Sequence, residues 1–251
     1  MLEINLENKV AIVTGGSSGI GRAAAIEFAK AGANVAIAAR RVQEGEETVR
    51  LAQEAGGNAI FVQTDVTKAE DVKALVDKTL QTYNRLDFAF NNAGFGKTVR
   101  LVEQSESGWE REIDVNLKAV WLSLKHQIPA MLQTGGGAIV NMASMGGGVI
   151  GVPGLASYNA AKGGVVGLTR SAAIEFAEQK IRINSVSPGL IATDILANVS
   201  PAALKQMVST IPMKRPGIAE EVAQAVIWLC SDRSSYITGQ NLVIDGGYTM
   251  Q

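Results

Sequence analysis

A doubly wound α/β fold, one parallel sheet with helices on both faces, is what this sequence predicts, and three observations lead there. Short β-branched or apolar runs recur between longer stretches with helical spacing. Runs such as VAIV and VAIAA are apolar throughout, as strands buried on both faces are, where a sheet with one wet face would alternate. No internal repeat, low-complexity tract or linker divides the 251 residues, a length that a single α/β domain routinely reaches.

In chain order, strands are expected at Val10 to Val13, Asn34 to Ala38, Ala59 to Gln63, Leu86 to Phe90, Ala138 to Met142, Arg182 to Val186 and Leu242 to Ile244. Between them, apolar residues such as Ala23, Ile26, Phe28 and Ala29, or Val72, Leu75, Val76 and Leu80, repeat at helical spacing. This alternation implies right-handed βαβ crossovers and one domain over residues 1–251.

Hydrophobic residues make up 47% of the chain and charged ones 19%, which suits a packed core and argues against disorder. A net charge of −1 leaves no basic excess to neutralise nucleic-acid phosphates, and nothing points to a membrane surface. The start MLEINLENKV lacks a signal-peptide layout, and no apolar run nears the roughly 20 residues of a membrane helix. Cys230 is the single cysteine, read as a small core residue in a reducing compartment, so a cytoplasmic protein is expected. His126, the one histidine, has no Cys or acid at ligand spacing, and no metal site is expected.

Ligands of open parallel sheets bind beyond the carboxyl ends of the strands. The first strand runs into GGSSGIG, with Gly15, Gly19 and Gly21 set for a sharp turn and Ser17, Ser18 and Ile20 between them. Such a turn lets backbone approach a diphosphate and aims the N–H groups of a helix start at it. The second strand ends VAIAARR: Ala39 stands where NAD-binding folds place an acid for the ribose 2′-hydroxyl, and Arg40 and Arg41 follow. A guanidinium there can grip a 2′-phosphate, so the expected cofactor is NADP(H); ordinary surface charge is the alternative. In TDVT, Asp65 either accepts from an adenine amino group, with the Val66 backbone beside it, or caps a helix, a role Thr67 would also serve.

Tyr158 and Lys162 in SYNAAKGG are four apart at helical spacing and project from one face. A phenol of pKa about 10 is a poor proton carrier near neutrality, and a nearby ammonium would lower it. Tyr158 would then protonate a developing alkoxide in reduction and take the proton back in oxidation. Ser144, ending the strand AIVNMAS, would hydrogen-bond the substrate oxygen, and Asn116 in IDVNLKAV would hold a water relaying protons from Lys162.

TGGSSGIG, NNAG at Asn91 to Gly94, Asn116, Ser144, YNAAK, SPG at Ser187 to Gly189 and DGG at Asp245 to Gly247 together resemble the short-chain dehydrogenase/reductase family along the whole chain. The resemblance implies a seven-stranded Rossmann domain, a nicotinamide cofactor and a catalytic tetrad of Asn116, Ser144, Tyr158 and Lys162. It also implies that Asn91, Ala93 and Gly94 line the cofactor cleft, that Lys162 holds the nicotinamide ribose, that Pro188, Gly189 and Ile191 flank the nicotinamide, and that Thr193 contacts its carboxamide. One departure is the spacing from Ser144 to Tyr158, fourteen positions where many members have thirteen. The extra residue falls in MGGGVIGVPG, expected to be a wider or looser substrate loop, or a surface turn without function.

The segment 190–216 is too long for a simple connection and carries Ile191, Ile195, Leu196, Val199, Leu204, Met207, Val208, Ile211 and Met213. Family members close this region over the substrate, which makes it a lid here; a helical hairpin with a structural core face is the alternative. With Phe95, Val149, Ile150 and Val152 it implies an apolar pocket, and so an NADP(H)-dependent carbonyl reductase acting on small or medium apolar ketones and secondary alcohols. A 3-oxoacyl-carrier-protein reductase is the rival, needing a basic rim for which Lys97, Arg100, Lys125 and Arg170 are candidates. A nucleotide-binding protein without turnover would show a broken tetrad, and here it is whole. The resemblance further implies a homotetramer, and in some members a magnesium ion near the C-terminus, here Gln251.

Overall fold

The computed structural model describes residues 4–193, 196 and 200–250; Ile195, Val199 and Gln251 lie outside the described residues. Seven strands form one parallel sheet: β1 (Val10–Thr14), β2 (Asn34–Ala39), β3 (Ala59–Gln63), β4 (Phe88–Asn91), β5 (Gly137–Met142), β6 (Ile181–Pro188) and, last in the chain, β9 (Asn241–Ile244). Their spatial order is β3-β2-β1-β4-β5-β6-β9, with every neighbouring pair parallel. A two-stranded ribbon, β7 (Ile191–Ala192) with β8 (Gly217–Ile218), stands apart.

The apolar strands are explained by two buried clusters. In β1, Ala11 and Val13 pack on the face of α1 (Gly19–Lys30) and α9 (Ala219–Cys230), beside Phe28, Val222 and Val226. Ile12, between them, faces the opposite way, toward Leu75 of α3 (Ala69–Tyr83) and Leu124 of α5 (Ala119–Gln133). Both alternate faces of one strand thus enter a core, and each aliphatic side chain so buried contributes about 1.5–3 kcal/mol. Cys230 is buried in the first cluster.

β4 begins two residues later than its apolar run, at Phe88. Asp87 occupies the entry, accepting from the Val10 N–H at 2.9 Å and pairing with Arg85 at 2.6 Å. The strand order reverses direction between β1 and β4, which opens a crevice at their carboxyl ends. There the chain turns into the glycine-rich loop on one side and NNAG on the other.

In the 190–216 segment, β7 is followed by α8 (Pro201–Ser209), which buries none of its residues. Ile191 and Ile211 are the buried side chains of this segment among the described residues.

Candidate active site

Beyond β1, Gly15 adopts a φ of +65°, and a Cβ there would lie 2.8 Å from Asn92 Nδ2 and 2.9 Å from Ala93 Cα. The two loops therefore pass in contact. Asn92 Nδ2 donates to the carbonyls of Thr14 (3.1 Å) and Gly15 (3.2 Å), while Thr14 Oγ1 accepts from the Asn92 and Ala93 N–H groups. Ser18 is the N-cap residue of α1, yet its hydroxyl caps no helix N–H and accepts instead from Arg41 at 2.8 Å. The first turn of α1 so lacks a side-chain acceptor, the arrangement that suits a bound phosphate.

Arg41 also donates to Ser17 Oγ at 3.2 Å and pairs with Glu44 at 3.1 Å, so its guanidinium lies across the glycine-rich loop. Arg40 is exposed, its carbonyl accepts from Gln63, and its charge acts on Asp65. Asp65 serves a local turn, Oδ1 accepting from the N–H and hydroxyl of Thr67. Burial opposes ionisation of Asp65, but the Thr67 hydrogen bonds and the Arg40 and Lys68 charges prevail and hold the carboxyl below its ordinary value. Lys68, not Asp65 or Thr67, is the N-cap of α3. Val66 is buried, and Thr193 packs its methyl beside Gly19.

The chemistry-bearing side chains meet across the crevice. Tyr158 and Lys162 lie on α7 (Ala156–Phe176), and Ser144 ends the loop step after β5. Ser144 hydrogen-bonds the Tyr158 phenol and accepts from the Gly146 N–H at 3.2 Å. Lys162, 1% exposed, donates to the Met142 carbonyl at 2.7 Å, with Nζ 5.6 Å from the Tyr158 ring centroid. Burial pushes Lys162 down to about 7. Burial also pushes the Tyr158 phenol up, Glu112 pushes the same way, and the Ser144 hydrogen bond opposes them. The sequence expectation of a phenol lowered by its lysine is thus not met in the free protein: an amine near 7 is no fixed cation at neutral pH, and desolvation prevails.

Asn116 sits in a π-helical turn, Asp114–Lys118, joining α4 (Glu106–Ile113) to α5. Such turns often mark functional sites. Its Oδ1 accepts from the Phe95 N–H (3.1 Å), and Nδ2 donates to the carbonyls of Phe95 (2.7 Å) and Glu112 (3.0 Å). Both amide hydrogens are committed, leaving the second lone pair of Oδ1 to hold a water. Gly94 lets this group approach the lysine: a Cβ there would lie 2.7 Å from Asn116 Oδ1 and 3.3 Å from Lys162 Nζ.

Two expectations are revised by packing. The amide of Asn91 is turned inward, bonded to Gln127 and Asn141, so at the crevice it offers backbone. The triple-glycine loop is not loose. In α6 (Met145–Gly148), Gly147 has φ +85°, and a Cβ on it would lie 2.1 Å from the Asn159 carbonyl oxygen. Its N–H donates to the Ile150 carbonyl at 2.7 Å, and Gly148 N–H to the Ser144 carbonyl at 3.0 Å. These glycines are there for contact with α7.

Pro188 ends β6, and Gly189 closes on Asp245 with its N–H donated to the Ile244 carbonyl at 2.9 Å. Sequence reasoning missed Asn92, Arg22 and Glu112. Arg22 braces the glycine-rich loop by donating to the Ser17 carbonyl at 2.7 Å. Glu112 carried a usable signal, since it precedes Asn116 by one helical repeat and must share its face. Among the described residues no group of three or more His, Cys, Asp or Glu side chains could hold a metal, and no helix is long and apolar enough to cross a membrane.

A Rossmann-type sheet with a glycine-rich crevice and a Ser-Tyr-Lys cluster defines an oxidoreductase of the alcohol–carbonyl type. A family model described as enoyl-(acyl carrier protein) reductase matches residues 15–249, and the chain belongs to the short-chain dehydrogenase/reductase family. It is 44% identical to cyclohexanol dehydrogenase of Acinetobacter sp. (strain SE19), over 96% of this chain and 95% of that protein. It is 39% identical to 3-oxoacyl-(acyl-carrier-protein) reductase of Thermotoga maritima, over 97% and 99% of the two chains. Among solved structures, levodione reductase superposes with a TM-score of 0.93 at 33% identity, covering 97% of this chain and 98% of that one.

Proposed function

We propose that this protein is an NADP(H)-dependent carbonyl reductase, working reversibly as a secondary-alcohol dehydrogenase on small or medium apolar ketones. The observation that carries the reading is the meeting of Ser144, Tyr158 and Lys162 at the carboxyl end of β5, with Asn116 one hydrogen bond from the adjoining loop. A nicotinamide cofactor in the crevice supplies or accepts the hydride. Ser144 would hold the substrate oxygen, Tyr158 would give its phenolic proton to that oxygen in reduction, Lys162 would hold the nicotinamide ribose hydroxyls, and a water held at Asn116 would relay protons between Lys162 and solvent. Gly15, Ser17, Ser18, Gly19, Ile20, Gly21, Ala93 and Gly94 form the dinucleotide cradle. Asp65 Oδ2 and the Val66 backbone serve the adenine. Pro188, Gly189, Ile191 and Thr193 serve the nicotinamide end.

NADP(H) is favoured by Ala39, which brings no carboxylate to the ribose, and by Arg41 lying over the loop hydroxyls. The apolar substrate class is supported by the exposed Val149 side chain and by the 44% identical relative that bears the name of a cyclic alcohol. Residues 190–216 act as the lid: α8 buries nothing in the described structure, while Leu204, Met207 and Val208 give it apolar side chains to close with. Exposed Trp121, Ile174 and Tyr236 support assembly into a homotetramer, and a single buried cysteine fits the cytoplasm.

The acyl-carrier reading draws support from the 39% identical relative. Against it, Arg100 is paired with Glu103 and Lys125 lies over the Trp121 ring, so neither adds freely to a basic rim. The test is a panel of cyclic and linear ketones beside a 3-oxoacyl carrier thioester, each with NADPH and NADH. Simple ketones with NADPH are expected to turn over fastest; faster turnover of the carrier thioester, or of any substrate with NADH, overturns the corresponding part.

A further inference from the structure

Glu112 is a buried carboxylate that the reaction as derived above does not use. It is 2% exposed, on α4, and none of its hydrogen-bond partners is a cation. Oε1 accepts from the Lys97 N–H at 2.8 Å, and Oε2 accepts from the hydroxyl of Ser157, the residue before Tyr158. Ser157 Oγ accepts in turn from Gln104 Nε2 at 2.5 Å. The Glu112 carbonyl takes an amide hydrogen of Asn116 at 3.0 Å. One residue therefore touches three parts of the site: the loop 95–100, the first turn of α7 and the asparagine of the π-helical turn.

Burying a carboxylate is costly, and a neutral apolar residue would fill a helix–helix contact at less expense. What the carboxylate adds is two acceptor oxygens aimed in different directions, plus charge. The loop it holds is the one whose Gly96 lies against the Tyr158 ring, where a Cβ would be 3.1 Å from the ring edge. Val99 N–H to the Gly154 carbonyl, at 2.8 Å, pins the far side of the same loop.

We propose that Glu112 is a positioning residue for the proton-transfer tyrosine: its carboxylate clasps the loop 95–100 to the first turn of α7, so that Tyr158 is held under Gly96 and faces a negative charge. The inference rests on the reading of Tyr158 as the proton carrier. The groups facing Tyr158 are Lys162 from its own helix, the Ser144 hydroxyl from the end of β5 and Glu112 from α4; on the loop, Phe95 is covered by the Arg111 guanidinium at 5.4 Å. Of these, Glu112 disfavours the phenolate, which keeps the tyrosine in its proton-donating form near neutrality.

The experiment compares wild type, Glu112→Gln and Ser157→Ala, each also carrying Tyr158→Phe as a reference. Phenolate absorbance is titrated, and the difference between each protein and its Tyr158→Phe partner isolates Tyr158 without any call on turnover. Glu112→Gln keeps the shape and removes the charge, and its Tyr158 midpoint is expected to fall. The rising limb of alcohol oxidation moves to lower pH with it, by about tenfold in rate below the midpoint for each unit of displacement. Ser157→Ala keeps the charge and opens the clasp; the ketone KM is expected to rise about tenfold, the scale of one lost hydrogen bond to a charged group, with no fall in the midpoint. Coincident titrations of wild type and Glu112→Gln overturn the proposal, as does an equal fall in Ser157→Ala. If Glu112→Gln does not fold, an unchanged ketone KM in Ser157→Ala overturns the clasp. A shifted midpoint in a protein that reduces no ketone would leave the charge effect standing and refute the proposed function.

Discussion

At the β1–β3 half of the sheet the recognition surface is backbone and solvated charge: the Gly15 turn, the uncapped start of α1 and a half-exposed Arg41 over Ser17 and Ser18. At the β4–β6 half the polar groups are buried: Lys162, Glu112, Asn116 and the Asn91–Gln127–Asn141 chain. Solvated charges contribute modestly, whereas burial displaces Lys162 to about 7 and lifts the Tyr158 phenol. Substitutions on the two sides should therefore fail differently, in binding on one and in protonation or packing on the other.

The largest break is Tyr158→Phe. It removes the proposed proton carrier while leaving the ring under Gly96, and turnover should fall about 10²–10⁴-fold, with NADPH binding by fluorescence unchanged. Turnover within a few fold of wild type would remove Tyr158 from the role assigned to it.

Lys162 tests burial itself. Its folded value, about 7, lies below its ordinary 10.5, so between these values the unfolded chain binds the proton that the folded one lacks, and stability rises with pH. Between pH 7 and 9 the gain should be about 2 kcal/mol in urea melts, and Lys162→Met should flatten that slope as well as abolish turnover. The window closes near pH 9, because burial pushes the Cys230 thiol up to about 12; its contribution is lost as pH rises past its ordinary value of 9. Parallel slopes in wild type and Lys162→Met would place the titration elsewhere.

The same contrast separates what the sequence revealed from what it hid. All seven strands were legible, because strands buried on both faces spell unbroken apolar runs, and so were the glycine-rich turn and the Tyr158–Lys162 face, which follow from local spacing. The direction of the Tyr158 shift was not legible, since it depends on burial and on Glu112, forty-six positions away in the chain. Nor was the π-helical turn that presents Asn116, because its sequence is consistent with an ordinary helix. The triple glycine misled for a related reason: glycine reads as freedom in one dimension, while in the fold it marks close approach.

That reading of the loop can be separated from mere turn strain. Gly147→Ala forces a Cβ against the Asn159 carbonyl at a positive φ, and should destabilise by about 3 kcal/mol or more. Gly56 also has a positive φ, +106°, but open space around it, so Gly56→Ala should cost only about 1 kcal/mol. Gly151, with neither strain nor neighbours, should accept alanine within about 0.5 kcal/mol. Equal losses at 147 and 56 would mean that backbone strain, not contact with α7, accounts for the glycine.

The last contrast belongs to the solvated half and decides between two arginines. Arg41 reaches the hydroxyls of Ser17 and Ser18, while the Arg40 charge acts on Asp65. If the 2′-phosphate is gripped where the loop hydroxyls and a guanidinium converge, Arg41→Ala should lower kcat/KM for NADPH about tenfold and leave NADH unchanged, a loss on the scale of one charge-assisted hydrogen bond. Arg40→Ala should cost less, and its effect should fade with added salt, because Arg40 acts there through long-range charge in water. A larger loss at Arg40 would mean that the guanidinium swings from Asp65 to the phosphate on binding, and that the acid-free end at Ala39 presents Arg40 rather than Arg41 to the ribose.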